Sequence, residues 1–176
     1  GLSIPIPYIK KHPFDLKNDD KIAAYALSNK VNGRAELILL AEGQTAREKL
    51  GLTSGGNSHI ADFTVIVDEI QLFRPLAYPS ANLTVDEGSQ PLIFYGKLKT
   101  ELQNLPKEYR GGPLEFEAYL YWQPKVVPAE HNGIIIRING ASGILFDKQF
   151  LNYQISELQR LRQITAEIFI TKGLDA

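Results

Sequence analysis

The sequence predicts an α+β fold, a mixed, largely antiparallel sheet packed with helices as a two-layer or α/β/α sandwich. Three observations predict it. The second half holds three stretches of strict period-two alternation. The first half interleaves helix-like and strand-like stretches. The two kinds alternate without the regular βαβ rhythm of a doubly wound sheet.

Each element has its own reason. "NDDKIAAYALSNKVNG" (18–33) has helix grammar: Asp19 or Asp20 can cap a first turn, Ile22, Tyr25, Ala26 and Asn29 share a face, and Gly33 suits the stop. "AELILLAE" (35–42) reads as a mostly apolar, buried strand. "TAREKLG" (45–51) is a short helix with a capping box of Thr45 and Glu48. "ADFTVIVDEI" (61–70) is another strand. "SQPLIFYGKLKTELQNLP" (89–106) sets Phe94, Leu98, Leu102 and Leu105 on one helical stripe ending before Pro106, while Gly96 and the β-prone "LIFY" also fit the start of a strand. The loops 51–59 and 77–91 are polar and carry glycine or proline.

The three clear strands follow. In Leu114 to Gln123, parity turns Leu114, Phe116, Ala118, Leu120 and Trp122 inward, and Glu115, Glu117, Tyr119, Tyr121 and Gln123 outward. Gly133 to Asn139 sets Ile134, Ile136 and Ile138 against Ile135, Arg137 and Asn139. Gln163 to Thr171 turns Ile164, Ala166, Ile168 and Ile170 inward. Asn139-Gly140 and Lys172-Gly173 are turn signals.

Composition bounds the function. The 176 residues fit one domain, 44% apolar and 22% charged, as in ordinary globular proteins. Net charge is -1, which supplies no long-range field for a polyanion. Without cysteine, disulfides, zinc thiolate sites and thiol catalysis are excluded, and a reducing, cytoplasmic setting is expected. No apolar run approaches the ~20 residues of a membrane helix, and "GLSIPIPY" lacks the grammar of a signal peptide. Methionine is absent even at position 1, so the chain reads as processed or as an excised piece of a longer one.

Chemistry-bearing motifs are sparse. His12, His59 and His131 have no metal-ligand spacing and read as exposed loop residues. "SGGN" (54–57) can form an anion-binding nest or simply a turn. There is no GxSxG elbow, GxxxxGK[ST] or GxGxxG. Asp68 and Glu69 could supply an acid, but the two-apart pairs Asp15/Lys17 and Asp19/Lys21 precede it, the wrong order for a metal-dependent nuclease. No catalytic residue and no metal ligand is assigned. Arg137, alone in "IIIRIN", is either a fixed cation for a phosphate or partner carboxylate, or a solvated face residue. Arg160 and Arg162 make a small basic stripe if the last strand begins early. Tyr119 and Tyr121 offer a partner-binding surface unless another layer covers them.

The order of the second half resembles the middle domain of the ninety-kilodalton heat-shock chaperone family, within the GHKL ATPase superfamily. "PLEFEAYLYWQPKVVP", "NGIIIRINGASG" and "ITAEIFITKGLDA" are similar to three successive strands of that domain, with "FDKQFLNYQISELQR" filling the interval. The resemblance covers 113–176; residues 1–110 carry none. It implies a ribosomal-S5-domain-2-like transducer domain spanning 1–176. This domain would dock on an ATP-binding domain of the same chain and relay nucleotide state to protein partners or clients, making no chemistry of its own. ATP and magnesium are implied for the full-length protein only. The family's phosphate-sensing arginine falls in a segment beyond Ala176, and the ATP-site motifs are absent, since "DEGSQ" at Asp86 lacks the second glycine. Tyr119, Tyr121, Arg137, Arg160 and Arg162 are the partner-binding candidates. The alternative is a nucleic-acid-binding or nuclease-derived domain, for which Lys97, Lys99, Lys107 and Arg110 form a basic cluster. A small-molecule enzyme would need a deep pocket holding Asp68, Glu69 and a histidine.

Overall fold

A computed structural model describes residues 12–19, 22–29, 35–55, 66–71, 90–101, 106, 108, 112–124, 132–138, 141–142 and 162–173. Strand dominates these residues. β1 (Ala23–Asn29), β2 (Ala35–Leu39), β5 (Leu92–Thr100), β6 (Leu114–Trp122), β7 (Gly133–Ile138), β8 (Ala141–Ser142) and β9 (Ile164–Lys172) form one sheet. Its order is β2-β1-β5-β6-β9-β7-β8. β1 runs parallel to β5, and β7 to β9; the other pairs are antiparallel. A separate hairpin joins β3 (Ile66–Val67) to β4 (Ile70–Gln71).

The expected sheet packed with helices is corrected by this arrangement. Helix among the described residues is limited to α1 (Ala46–Leu50), a 3-10 turn at Pro13–Asp15 and the 3-10 residue Glu108. The helix read into 18–33 is β1, and the stripe read into 89–106 begins as β5. The physical reason is a degeneracy of period. Phe94 and Leu98 are four apart, so they share a face of a helix and also a face of a strand. Where both spacings fit, the β-prone run Leu92 to Tyr95 and pairing with strands on both sides favour the strand. "AELILLAE" is a strand, as expected, but β2 lies at the sheet edge and all five of its residues are exposed, not buried.

The short helix matches its sequence signature. Thr45 Oγ1 accepts from the Glu48 amide at 3.2 Å, and Glu48 Oε2 accepts from the Thr45 amide at 3.0 Å. Gly51 takes the left-handed conformation (φ 60°) that ends the helix. Asp19, expected as a helix cap, accepts from the Ile22 amide at 3.1 Å, but at the entry to a strand.

The sheet has two unlike faces. On one, Ala24, Ala26, Ile93, Tyr95, Tyr119, Tyr121 and Phe169 lie buried with Phe14 of the 3-10 turn, Ala46 of α1 and Leu52, and Ile135 is buried on the same face. Phe14 is the plug of this layer. Its ring meets Phe169 at 5.5 Å, Tyr95 at 6.1 Å and Tyr119 at 6.3 Å, all edge-on. The other face carries Phe94, Leu98, Phe116, Leu120, Ile134 and Ile168. It is half-buried and borders a cavity of about 520 Å³. Parity therefore separated the two faces of β6 and β9, but the face expected inward is the shallower one, with Ala166 alone of it buried. Glu117, Tyr119 and Tyr121, expected outward, are buried, while Trp122, expected in the core, is half-buried.

Candidate functional site

The chemistry-bearing side chains gather on the tyrosine-bearing face, along β5, β6, β9 and β7. Register fixes which of them meet. Lys97 stands opposite Glu117, and Tyr119 opposite Glu167; Ile135 and Arg137 flank Glu167 and Phe169 from β7. Two buried carboxylates organise the rest.

Glu117 is 1% exposed. The Thr53 amide donates to both its oxygens at 3.0 and 2.9 Å, the Thr53 hydroxyl at 3.2 Å, and the Ser54 amide at 2.8 Å. Lys97 Nζ lies 3.3 Å away and also donates to the Gly51 carbonyl at 2.8 Å. Burial is the largest influence on this carboxyl and pushes its pKa up. The amides of Ser54 and Thr53, with Lys97, outweigh it and hold the pKa below the ordinary carboxylate value. The loop with nest potential at Ser54 thus starts an anion site whose anion is the chain's own carboxylate.

Glu167 is equally buried. It accepts a hydrogen bond from Tyr119 Oη at 3.1 Å and a short one from Arg137 Nε, with Arg137 itself 4% exposed. A planar guanidinium suits a carboxylate in such a dry setting because it sheds hydration more readily than an ammonium.

Asp15 and Arg47 tie the covering segments together. Arg47 Nε and Nη2 donate to the two Asp15 oxygens at 2.6 and 3.1 Å, and Nη1 donates to the carbonyls of Leu52 and Ser54 at 3.0 and 3.1 Å. The guanidinium also sits 5.8 Å from the Phe14 ring centroid. Tyr95 Oη donates to the Pro13 carbonyl at 2.8 Å, and burial raises its pKa above the usual phenol value, with the Asp15 charge adding to the rise. Burial likewise raises that of Tyr121, whose hydroxyl donates to Gln123 Oε1 at 3.1 Å.

The sequence-predicted residues are placed as follows. Tyr119 and Tyr121 lie under the covering layer, and Arg137 is buried on the same face against Glu167. Arg162 is exposed in the turn before β9, and Arg160 lies outside the described residues. Asp68 and Glu69 sit exposed at the tip of the β3–β4 hairpin, with positive φ of 49° and 67°. His12 is half-buried; its Nδ1 accepts from the Phe14 amide at 3.2 Å. His59 and His131 lie outside the described residues. Of the basic cluster, Lys97 pairs with Glu117 and Lys99 with Glu115 at 3.1 Å; Lys107 and Arg110 lie outside.

Sequence reasoning missed Glu117, Glu167, Phe14 and Arg47. The available signal was a glutamate in the same parity row as two tyrosines, and another inside the run "ITAEIFI". Both look outward only if no polar partner covers them.

Among the described residues no three histidine, aspartate or glutamate side chains gather as a metal site. The Glu48 amide at the start of α1 and the amides of Thr53 and Ser54 are already engaged by the chain's own side chains. Also among them, no helix is long and apolar enough to cross a membrane. What the arrangement does chemically is hold. It clamps residues 12–16 and 45–54 onto the sheet through charge-assisted bonds in a low-dielectric layer. Comparison with protein-family models, curated proteins and solved structures finds no match to this chain.

Proposed function

We propose that the chain is a non-catalytic middle or transducer domain of a GHKL-type ATPase, acting in the cytoplasm. In this reading it docks on an ATP-binding domain of the same protein and relays nucleotide state to protein partners. The observation that carries the reading is the adjacency of β6, β9 and β7. The three segments that resemble the family's successive strands hydrogen-bond side by side in one sheet. Their buried charged side chains are spent internally, Arg137 on Glu167 and Glu117 on Lys97 of the neighbouring β5. A plate cross-linked in this way moves as a unit, as a relay between two docking geometries requires. The apolar face beside the cavity is the docking face in this account.

The pairing of Lys97 with Glu117 and of Lys99 with Glu115 removes two of the four cations on which the nucleic-acid reading rested. Salt-dependent DNA or RNA binding by the chain would restore that alternative.

The test compares ATP hydrolysis by the chain alone, by the neighbouring ATP-binding domain alone, and by the two joined. The expected result is no turnover by the chain and an altered rate in the joined protein. Turnover by the chain alone, or identical rates for the separate and joined ATP-binding domain, would overturn the reading.

A further inference from the structure

The edge of the sheet at β2 shows a second surface, independent of the relay role. Leu37 and Leu39 are each 53% exposed on the cavity-bearing side, and Ile38 is 36% exposed on the other. Among the described residues no strand pairs with the outer side of β2. Edge strands ordinarily carry a lysine, a proline or a bulge that blocks pairing with another chain. β2 carries none of these, and its one charge is Glu36.

Hydrogen-bond alternation fixes which groups face outward. The Leu40 amide donates to the Ala24 carbonyl at 2.8 Å, and Leu40 continues the register in which Ile38 opposes Ala26. In an antiparallel ladder the bonded pairs alternate. Glu36 and Ile38 therefore spend their backbone groups on β1, while Ala35, Leu37 and Leu39 direct theirs to the open edge.

We propose that β2 pairs antiparallel with β2 of a second copy, about a two-fold axis through Leu37. That register opposes Ala35 to the partner's Leu39 and Leu37 to the partner's Leu37. All three outward-facing residues of each strand then make bonded pairs. Centring on Glu36 or Ile38 leaves one outward residue on each strand unpaired, and centring on Glu36 also sets two carboxylates face to face. Centring on Leu37 instead opposes Glu36 to Ile38, so no like charges meet. The self-complementarity of this five-residue strand is the argument for a second copy over an unrelated strand. The two apolar faces become continuous across the axis, since Leu37 and Leu27 already border the cavity. An edge-to-edge contact falls below the ~1,200 Å² of a standard interface, so the dimer is weak and concentration-dependent.

The test is sedimentation velocity of the 176-residue chain from about 5 to about 500 μM, paired with residue-level amide exchange at both ends of that range. The expected result is a mass that rises with concentration. The Leu37 and Leu39 amides should become protected only at the high end, whereas the Ile38 amide, bonded to β1, is protected throughout. Leu37→Lys places two ammonium groups at the axis and should weaken the dimer at least ~10-fold. A mass independent of concentration overturns the proposal, as does a dimer in which the Leu37 and Leu39 amides stay unprotected. Should Leu37→Lys lose its fold by circular dichroism, the exchange pattern of the unaltered chain decides alone.

Discussion

Replacing Glu117 is the sharpest probe of what holds the covering layer to the sheet. Glu117→Ala strands the Thr53 and Ser54 amides, the Thr53 hydroxyl and the Lys97 ammonium at once. Hydrogen bonds to a charged group are worth about 1.5–3 kcal/mol each, and several are lost together. Lys97 keeps the Gly51 carbonyl and is partly exposed, which limits the expected loss to about 3 kcal/mol. For a chain of this size that is a fall in Tm of roughly 6–12 °C. Glu117→Gln keeps one acceptor and should cost about 1–3 kcal/mol. The pH dependence carries the sign. The folded pKa of Glu117 lies below its unfolded value, so its ionisation stabilises the fold fully above the unfolded pKa and ceases to do so as pH falls through the folded one. The gap between the unaltered chain and Glu117→Gln should therefore be widest near neutrality and close as pH drops below the usual carboxylate range. Urea denaturation across that range, with amide exchange at Thr53 and Ser54, measures both effects. A Glu117→Ala variant within about 1 kcal/mol of the unaltered chain, or a pH-independent gap, would refute the reasoning.

Phe14→Ala empties the ring site among Phe169, Tyr95 and Tyr119 and should cost about 3–5 kcal/mol by urea denaturation, with loss of near-ultraviolet dichroism. Arg137→Met removes the guanidinium hydrogen-bonded to the buried Glu167 carboxylate and should destabilise by about 3–5 kcal/mol, whereas adding Glu167→Leu should recover part of that loss, the Tyr119 hydroxyl then losing its acceptor. A double-mutant cycle with no coupling between these two positions would mean the pair is not a unit. Glu69→Gly relieves a left-handed conformation that costs a side-chain-bearing residue about 1–2 kcal/mol, so it should slow amide exchange in the β3–β4 hairpin.

The parts that were legible in the sequence are those encoded locally. The Thr45–Glu48 capping box needs only a few consecutive residues, and the structure has it. The alternation in β6, β7 and β9 is likewise local, and it located two faces on each strand. The helix expected at 18–33, where β1 lies, and the helix-or-strand ambiguity at β5 show the limit of that signal. A spacing of four between apolar residues satisfies both periods, and only a neighbouring strand breaks the tie.

The candidate site was legible as residue types, not as an arrangement. Tyr119, Tyr121 and Arg137 were picked out by their positions, but their exposure was not in the alternation. Whether a row of tyrosine and glutamate faces water depends on whether something polar is brought over it. Here Thr53 and Ser54 reach Glu117 from more than sixty residues away in the chain, Arg137 reaches Glu167, and Phe14 covers the tyrosines.

By itself, then, the sequence determined the class of chain: balanced in charge, free of cysteine, strand-forming in its second half, and short of catalytic motifs. Only the tertiary structure decided which face of the sheet is covered, that the amides of Thr53 and Ser54 bind an internal carboxylate, and that among the described residues β2 is the edge of the sheet. The reason is physical. Local pattern sets where side chains and backbone groups point, but burial and hydrogen-bond satisfaction depend on partners supplied from distant parts of the chain.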